Sequence, residues 1–125
     1  MIEINGRALI KGKAEGEAVV INEISFYGDV DPETGKLKDG RSIKGKIVVS
    51  LKPRGSTVGS YIIYALKENN VAPKAIIMVK SEPIIVAGCV LANIPLIDNI
   101  PKDLVKNIND GDKIIINGDK IIVIK

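Results

Sequence analysis

The 125-residue sequence contains no histidine, no tryptophan and a single cysteine, Cys89. One thiol excludes a disulfide within the chain, so the sequence gives no sign of an oxidising compartment. Structural zinc sites need about four Cys or His ligands, and iron–sulfur clusters need about four thiolates, so this chain alone can hold neither. Acid–base chemistry by histidine is excluded as well. Any catalysis would therefore use an unusual base and a metal supplied from elsewhere.

Aromatic residues make up only 3% of the chain, whereas 46% of it is hydrophobic. The core must therefore be aliphatic, and the many β-branched residues favour strands. Cys89 lies in an apolar run, which predicts a buried structural thiol. The length predicts one compact domain over residues 1–125.

The sequence shows no evident signal peptide and no evident membrane-spanning segment. No basic region followed by an apolar stretch opens the sequence, so no signal peptide is expected. The longest apolar run, residues 84–92, is far shorter than the ~20 residues that span a bilayer. The prediction is a cytoplasmic protein without a membrane partner. A net charge of +3, three tyrosines and one phenylalanine also argue against nucleic-acid binding.

Apolar runs bounded by Gly, Asn and Asp predict strands at 7–11, 17–21, 46–50, 74–79, 113–117 and 120–124. Asn117-Gly118 between the last two is typical of a tight hairpin, and residues 31–35 are typical of a turn-rich loop. Helical spacing predicts one main amphipathic helix, with Ser56 or Thr57 as its cap. Its apolar face comprises Val58, Tyr61, Ile62, Ala65 and Leu66. The stretch 84–92 fits either a buried strand or a short helix, and its glycine and two alanines favour the helix. With that helix, the order of elements predicts an α+β domain, mostly β.

The segment 46–60 combines a strand, the turn Arg54-Gly55-Ser56 and the start of the main helix. The first turn of a helix presents unpaired N–H groups and a partial positive charge, which suits an anion. Gly55 lets a ligand approach the backbone, and Arg54 adds a planar fork for carboxylate or phosphate. The pattern alone leaves open whether Ser56 is only a helix cap, worth about 1 kcal/mol, and whether Ser60 contributes.

A basic stretch runs from Lys36 to Arg54, with seven cations and one acid, Asp39. Its cations are Lys36, Lys38, Arg41, Lys44, Lys46, Lys52 and Arg54. They form either a cationic surface for an anionic substrate or acidic partner, or an ordinary solvated strand and loop. The roles of Asp31 and Glu33 are open in the same way: each either forms a turn or contacts substrate or partner.

The segment Lys52-Pro-Arg-Gly-Ser-Thr-Val-Gly-Ser-Tyr61 resembles the signature of the small subunit of the aconitase X family. The loop at 31–35 and the segment Ile94-Pro-Leu-Ile-Asp98 also resemble that family, so the similarity covers nearly the whole chain. It implies a single swivelling β/β/α domain, like the mobile fourth domain of aconitases. It also implies a heterodimer with a larger subunit that holds an iron–sulfur cluster.

The activity implied by this resemblance is dehydration of (R)-5-phosphomevalonate to trans-anhydromevalonate 5-phosphate, in an archaeal mevalonate pathway. In aconitases the base is a serine directly after a glycine, which matches Ser56 here, with Arg54, Gly55 and Thr57 as substrate-binding residues. Aconitases continue with Ser-Arg, whereas this chain has Thr57-Val58, and the resemblance leaves open whether Arg54 replaces that arginine. The alternatives are another hydroxy acid such as hydroxyproline, or a non-catalytic module that binds an anion or a partner.

Overall fold

The computed structural model describes residues 1–54 and 58–125. Its strands are β1 (Ile2–Asn5), β2 (Arg7–Ile10), β3 (Lys13–Ile24), β4 (Ile47–Pro53), β5 (Ala75–Met78), β6 (Leu96–Asp98), β7 (Lys113–Asn117) and β8 (Lys120–Ile124). Its helices are α1 (Phe26–Asp29), α2 (Gly59–Glu68), α3 (Pro83–Ala92) and α4 (Lys102–Lys106).

The long strand β3 joins an antiparallel group of strands to a mainly parallel one. Neighbouring strands follow the order β1-β8-β7-β3-β4-β5-β6-β2. Residues 13–17 of β3 pair antiparallel with β7, and residues 18–24 pair parallel with β4. Strands β4, β5 and β6 continue in parallel, with α2 and α3 as the crossovers between them. Because parallel neighbours require such crossovers, the order strand, helix, strand, helix, strand in the sequence leads directly to this arrangement.

The central strands β4 and β5 are buried on both faces. Val48 and Ile76 belong to a cluster with the inner faces of α2 and α3. Their neighbours Val49 and Ile77 point the opposite way, into a second cluster with β1, β7, β8 and α4. Two covered faces explain why these strands are continuously apolar rather than alternating. The layers are therefore sheet, sheet and helices, and the predicted α+β fold with a β/β/α arrangement is confirmed.

The helix α3 is apolar around most of its circumference and packs closely on α2. A Cβ placed on Gly88 would lie 3.0 Å from the Ser60 Cα and 2.9 Å from the Ile63 Cδ1, so this contact needs glycine. Cys89, on the same helix, is fully buried, and burial raises the pKa of its thiol to about 12. The predicted short helix and the predicted structural thiol are both confirmed.

The main helix α2 differs from its prediction in its start and its buried face. It begins at Gly59, with Val58 in the N-cap position; the predicted caps Ser56 and Thr57 lie outside the described residues. The buried stripe is Gly59, Ile63 and Leu66, whereas the predicted core residue Tyr61 is exposed. Tyrosine combines an apolar ring with a polar hydroxyl, so helical spacing alone could not assign it to the core. No helix in the described part of the chain is long and apolar enough to cross a bilayer.

Each of the six predicted strands corresponds to a strand of the structure, and the last two have the predicted bounds. The hairpin between them turns through Gly118 and Asp119, with Gly118 at a φ of 64°. The loop at 31–35 also turns as predicted. There, Gly35 has a φ of 72°, and a Cβ on it would lie 2.7 Å from the Val71 carbonyl oxygen. That loop is thereby held against the end of α2.

Candidate functional site

The carboxyl ends of the parallel strands β3, β4, β5 and β6 meet at one edge of the sheet. In open α/β sheets, ligands bind at this edge, because the loops that leave the strands form a crevice there. The segments that leave this edge carry α1 after β3, Arg54 after β4, Ser81 after β5 and Asp98 at the end of β6. This edge is the candidate functional site.

Arg54 stands at the end of β4 and is held by Asp29, the last residue of the short helix α1. Its backbone N–H donates to the Ile24 carbonyl at 2.8 Å. Its side-chain Nη2 donates to Asp29, 2.9 Å from Oδ1 and 3.1 Å from Oδ2. The arginine side chain is 56% exposed, and the aspartate side chain is 21% exposed. The guanidinium thus faces solvent while it remains attached to the fold.

The aspartate is itself anchored by the short helix α1. The backbone N–H of Ser25 donates to Asp29 Oδ2 at 2.9 Å, and the Asp29 N–H donates to the Ser25 carbonyl at 2.8 Å. The Ser25 hydroxyl accepts from the Gly28 N–H at 3.2 Å. Sequence analysis did not find Asp29. The available signal was the N-cap serine, Ser25, followed four residues later by an aspartate whose carboxylate accepts from the Ser25 backbone N–H, much as the acid of a capping box does.

The other three predicted site residues, Gly55, Ser56 and Thr57, lie outside the described residues. In the chain they stand between Arg54 at the end of β4 and Val58 before α2. Their roles therefore remain predictions.

Lysines flank Arg54 and Asp29 along this edge. A cavity of about 440 Å³ beside Asp29 is lined in part by Lys36 and Lys38. A second cavity, of about 650 Å³, is lined by Arg54, by Lys102 and Lys106 of α4, and by Glu23, which pairs with Lys52. Three cations against one paired acid make this cavity attractive to an anion.

The predicted basic stretch is largely divided among ion pairs. Arg41 bonds Asp39 and Asp110 at 2.8 Å each. The remaining pairs are Lys46 with Glu17, Lys52 with Glu23 and Arg54 with Asp29. Most of the stretch is therefore a solvated surface with local partners, and the cations that remain relevant to the candidate site are those near Arg54.

Asp31 stabilises the turn of the 31–35 loop, while a contact of Asp31 or Glu33 with substrate or partner remains a prediction. Asp31 Oδ1 accepts from the Glu33 N–H at 2.9 Å, and the Asp31 carbonyl accepts from the Gly35 N–H at 2.8 Å. Asp31 also lines the cavity beside Asp29. Ser60, in the first turn of α2, is half-buried and lies against Gly88 of α3.

A second arginine–aspartate cluster lies further along the same edge, and sequence analysis missed it. Asp98 accepts from Arg7 Nε and Nη2 and from the Ser81 hydroxyl, each at 2.8 Å. The Arg7 guanidinium holds the pKa of the Asp98 carboxyl below its usual range. No local pattern could find this cluster, because Arg7 and Asp98 are 91 positions apart.

The family model for the aconitase X swivel domain matches residues 3–124. The chain belongs to the aconitase X swivel domain family. A relative from Aeropyrum pernix, named phosphomevalonate dehydratase small subunit, is 48% identical over 98% of this chain and 92% of its own. A relative of the same name from Methanosarcina mazei is 44% identical over 94% of this chain and 86% of its own.

This aconitase X swivel domain also matches a solved structure along its full length. A chain of the crystal structure of Thermococcus kodakaraensis aconitase X in its holo-form superposes with a TM-score of 0.92 at 40% identity, over 100% of both chains. The resemblance inferred from the Arg54-Gly55-Ser56 segment is therefore confirmed at the level of family and fold.

The family implies an iron–sulfur enzyme, so we asked whether this swivel domain could hold a cluster. Among residues 1–54 and 58–125, no group of three or more His, Cys, Asp or Glu side chains could hold a metal ion. The one thiol, Cys89, lies in the core, and its raised pKa disfavours the thiolate that a cluster needs. The described residues of this chain do not fit an iron–sulfur cluster.

Proposed function

We propose that this chain is the small subunit of a phosphomevalonate dehydratase. With a larger subunit, it removes water from (R)-5-phosphomevalonate to give trans-anhydromevalonate 5-phosphate. The observation that carries this proposal is the set of relatives with that name, which are 41–48% identical over at least 90% of this chain.

In this proposal, Ser56 is the general base. Dehydration of a β-hydroxy acid begins with removal of a proton from the carbon beside the carboxylate, and the deprotonated Ser56 Oγ accepts that proton. A serine alkoxide is accessible only where nearby cations and N–H groups stabilise its charge. The guanidinium of Arg54, two positions before Ser56 and among lysines at the sheet edge, supports this assignment. Arg54, Gly55 and Thr57 bind the anionic substrate.

The iron–sulfur cluster belongs, in this proposal, to the larger subunit. The composition of this chain supports that division, because it has no histidine and its one thiol is buried. The small subunit then contributes the base and part of the anion site, and the two chains act as a heterodimer.

The test is an assay of the anaerobically co-expressed complex with (R)-5-phosphomevalonate, comparing wild type, Ser56→Ala and the control Ser42→Ala. Ser42 bonds the Lys44 N–H in a loop of the basic stretch, so its hydroxyl serves a turn. We expect Ser56→Ala to lower kcat by about 100- to 10,000-fold, as loss of a general base does, with an intact complex. Ser42→Ala should retain wild-type activity.

Each other outcome changes a different part of the proposal. A wild-type complex that is inactive on phosphomevalonate would overturn the substrate, and turnover of hydroxyproline instead would reassign it. An active Ser56→Ala complex would reduce Ser56 to a residue of the helix start. Binding of the larger subunit without turnover of any hydroxy acid would leave a non-catalytic module.

A further inference from the structure

We propose that Asp29 is a positioning residue for Arg54: its carboxylate fixes the guanidinium in the orientation that binds the anionic substrate. This inference rests on the proposed function, because it assumes that Arg54 contacts substrate. It adds a residue from the short helix α1, 25 positions away in the sequence, to the anion site.

The geometry of the pair favours positioning over a simple surface contact. Both oxygens of Asp29 bond the same nitrogen, Nη2 of Arg54. Arg54 Nε and Nη1 form no hydrogen bond with any residue that the structure describes. One corner of the planar fork is therefore held, and the side chain is 56% exposed, so a carboxylate or phosphate can approach it.

The aspartate is well suited to this role because it is fixed independently of the arginine. The Ser25 N–H donates to its carboxylate, its own N–H bonds the Ser25 carbonyl, and its carbonyl accepts from the Lys38 N–H at 3.2 Å. An arginine side chain has many rotamers, which it must give up when it binds a ligand. An anchored carboxylate that selects one of them before binding strengthens recognition of the anion.

The chain provides a matched control for this arrangement. Asp110 accepts from a backbone N–H, that of Val20, at 2.7 Å, and from an arginine, Arg41 Nη1, at 2.8 Å. Neither Asp110 nor Arg41 lines the cavities beside Asp29 and Arg54. Asp110→Asn therefore removes one carboxylate contact of an arginine away from the proposed site, while Arg41 keeps its pair with Asp39.

The first experiment is NMR of the full chain labelled with ¹⁵N-arginine. The sequence has only three arginines, Arg7, Arg41 and Arg54, so their guanidinium signals are readily assigned. We expect slowed rotation about the Cζ–Nη2 bond of Arg54 in wild type. This should be lost in Asp29→Asn, with Arg7 and Arg41 unchanged as internal controls for folding. Asp110→Asn should change Arg41 only. An Arg54 signal that is unaffected by Asp29→Asn would overturn the inference.

The second experiment is kinetics of the complex with the larger subunit. We expect Asp29→Asn to raise KM for phosphomevalonate about ten- to hundredfold with a smaller change in kcat, as loss of an aligned charge-assisted contact would. Added guanidinium should raise the activity of the Arg54→Ala complex about tenfold or more over its activity without guanidinium. It should not do so in the double variant Arg54→Ala/Asp29→Asn, because that variant lacks the carboxylate that would hold the added guanidinium.

The two failures are distinguishable. An active wild-type complex with unaltered KM in Asp29→Asn would overturn the role of Asp29 and leave the proposed function intact. An inactive wild-type complex would overturn the proposed function and with it the substrate role of Arg54, while the NMR signals would still decide whether Asp29 holds that arginine.

Discussion

Two arginine–aspartate pairs lie at the same edge of the sheet, and they are built in opposite ways. In the pair of Arg7 with Asp98, the carboxylate is 4% exposed and receives three hydrogen bonds from two other segments of the chain, two from Arg7 and one from Ser81. In the pair of Arg54 with Asp29, the carboxylate is 21% exposed, and a single arginine nitrogen reaches it. The hydrogen bonds from Arg7 and Ser81 thus satisfy the buried Asp98 carboxylate.

The two arginine side chains are similarly exposed, 63% for Arg7 and 56% for Arg54, so the pairs differ in the burial of the carboxylate. From this difference we expect the Asp98 pair to serve stability and the Asp29 pair to serve the recognition proposed above. Because an unsatisfied buried acid is costly, Asp98 should matter to folding. Asp29, near the surface, should matter to the orientation of Arg54.

Substitution of Asp98 by alanine should have the largest effect on stability. It removes two bonds from Arg7 and one from Ser81, so we expect a loss of about 2–4 kcal/mol in the free energy of unfolding. Urea unfolding of the full chain measures this loss. A change below about 1 kcal/mol, typical of an exposed pair, would erase the distinction between the two pairs.

Acid should remove the contribution of Asp98. Its folded-state pKa is lowered, first by the hydrogen bond from Arg7. The stability that it contributes is therefore complete above the unfolded-state pKa of about 3.9 and is lost as the pH falls through the folded-state pKa. The difference in unfolding free energy between wild type and Asp98→Asn should be constant from pH 7 to about pH 5 and should narrow below about pH 4. A difference that does not change with pH would contradict this account.

Removal of the Ser81 hydroxyl tests the third bond to Asp98 by itself. Ser81→Ala leaves both bonds from Arg7, so we expect a loss of about 1 kcal/mol. The same urea titration applies. If Ser81→Ala were as destabilising as Asp98→Ala, the hydroxyl and not the arginine would be the essential partner.

Substitution of Asp29 by asparagine should have the smallest effect on stability. Solvent screens the attraction between the Arg54 and Asp29 charges, so we expect a loss of about 1 kcal/mol or less in the free energy of unfolding. Combined with the raised KM expected above, this result would separate recognition from stability. A loss as large as that of Asp98→Ala would show that Asp29 mainly holds the fold.

Local patterns predicted the strands well, with two exceptions. The six predicted strands were long enough, and apolar enough, to be recognised from composition and their flanking turn residues. Strand β6 has only three residues, and β1 alternates over only four at the start of the chain. Helices α1 and α4, with four and five residues, are too short to show helical periodicity.

Of the charged and hydroxyl side chains described at the candidate edge, the sequence pointed only to Arg54, because it belongs to a local strand–turn–helix segment that also carries the family resemblance. Its role in the site remains a prediction. Asp29, Ser81 and Asp98 were not found, because a short loop or a strand end has no periodic pattern that marks its acids and hydroxyls. Their partners lie 25, 17 and 91 positions away.

By itself, the sequence determined the fold class, the family and the position of the Arg54-Gly55-Ser56 segment, because each depends on residues that are near one another in the chain. It also determined that this chain offers one thiol and no histidine. Only the tertiary structure decided which aspartate meets which arginine and which of these acids is buried. Parallel pairing of β3, β4, β5 and β6 brings distant strand ends to one edge, and spatial neighbours across strands are not encoded in local spacing.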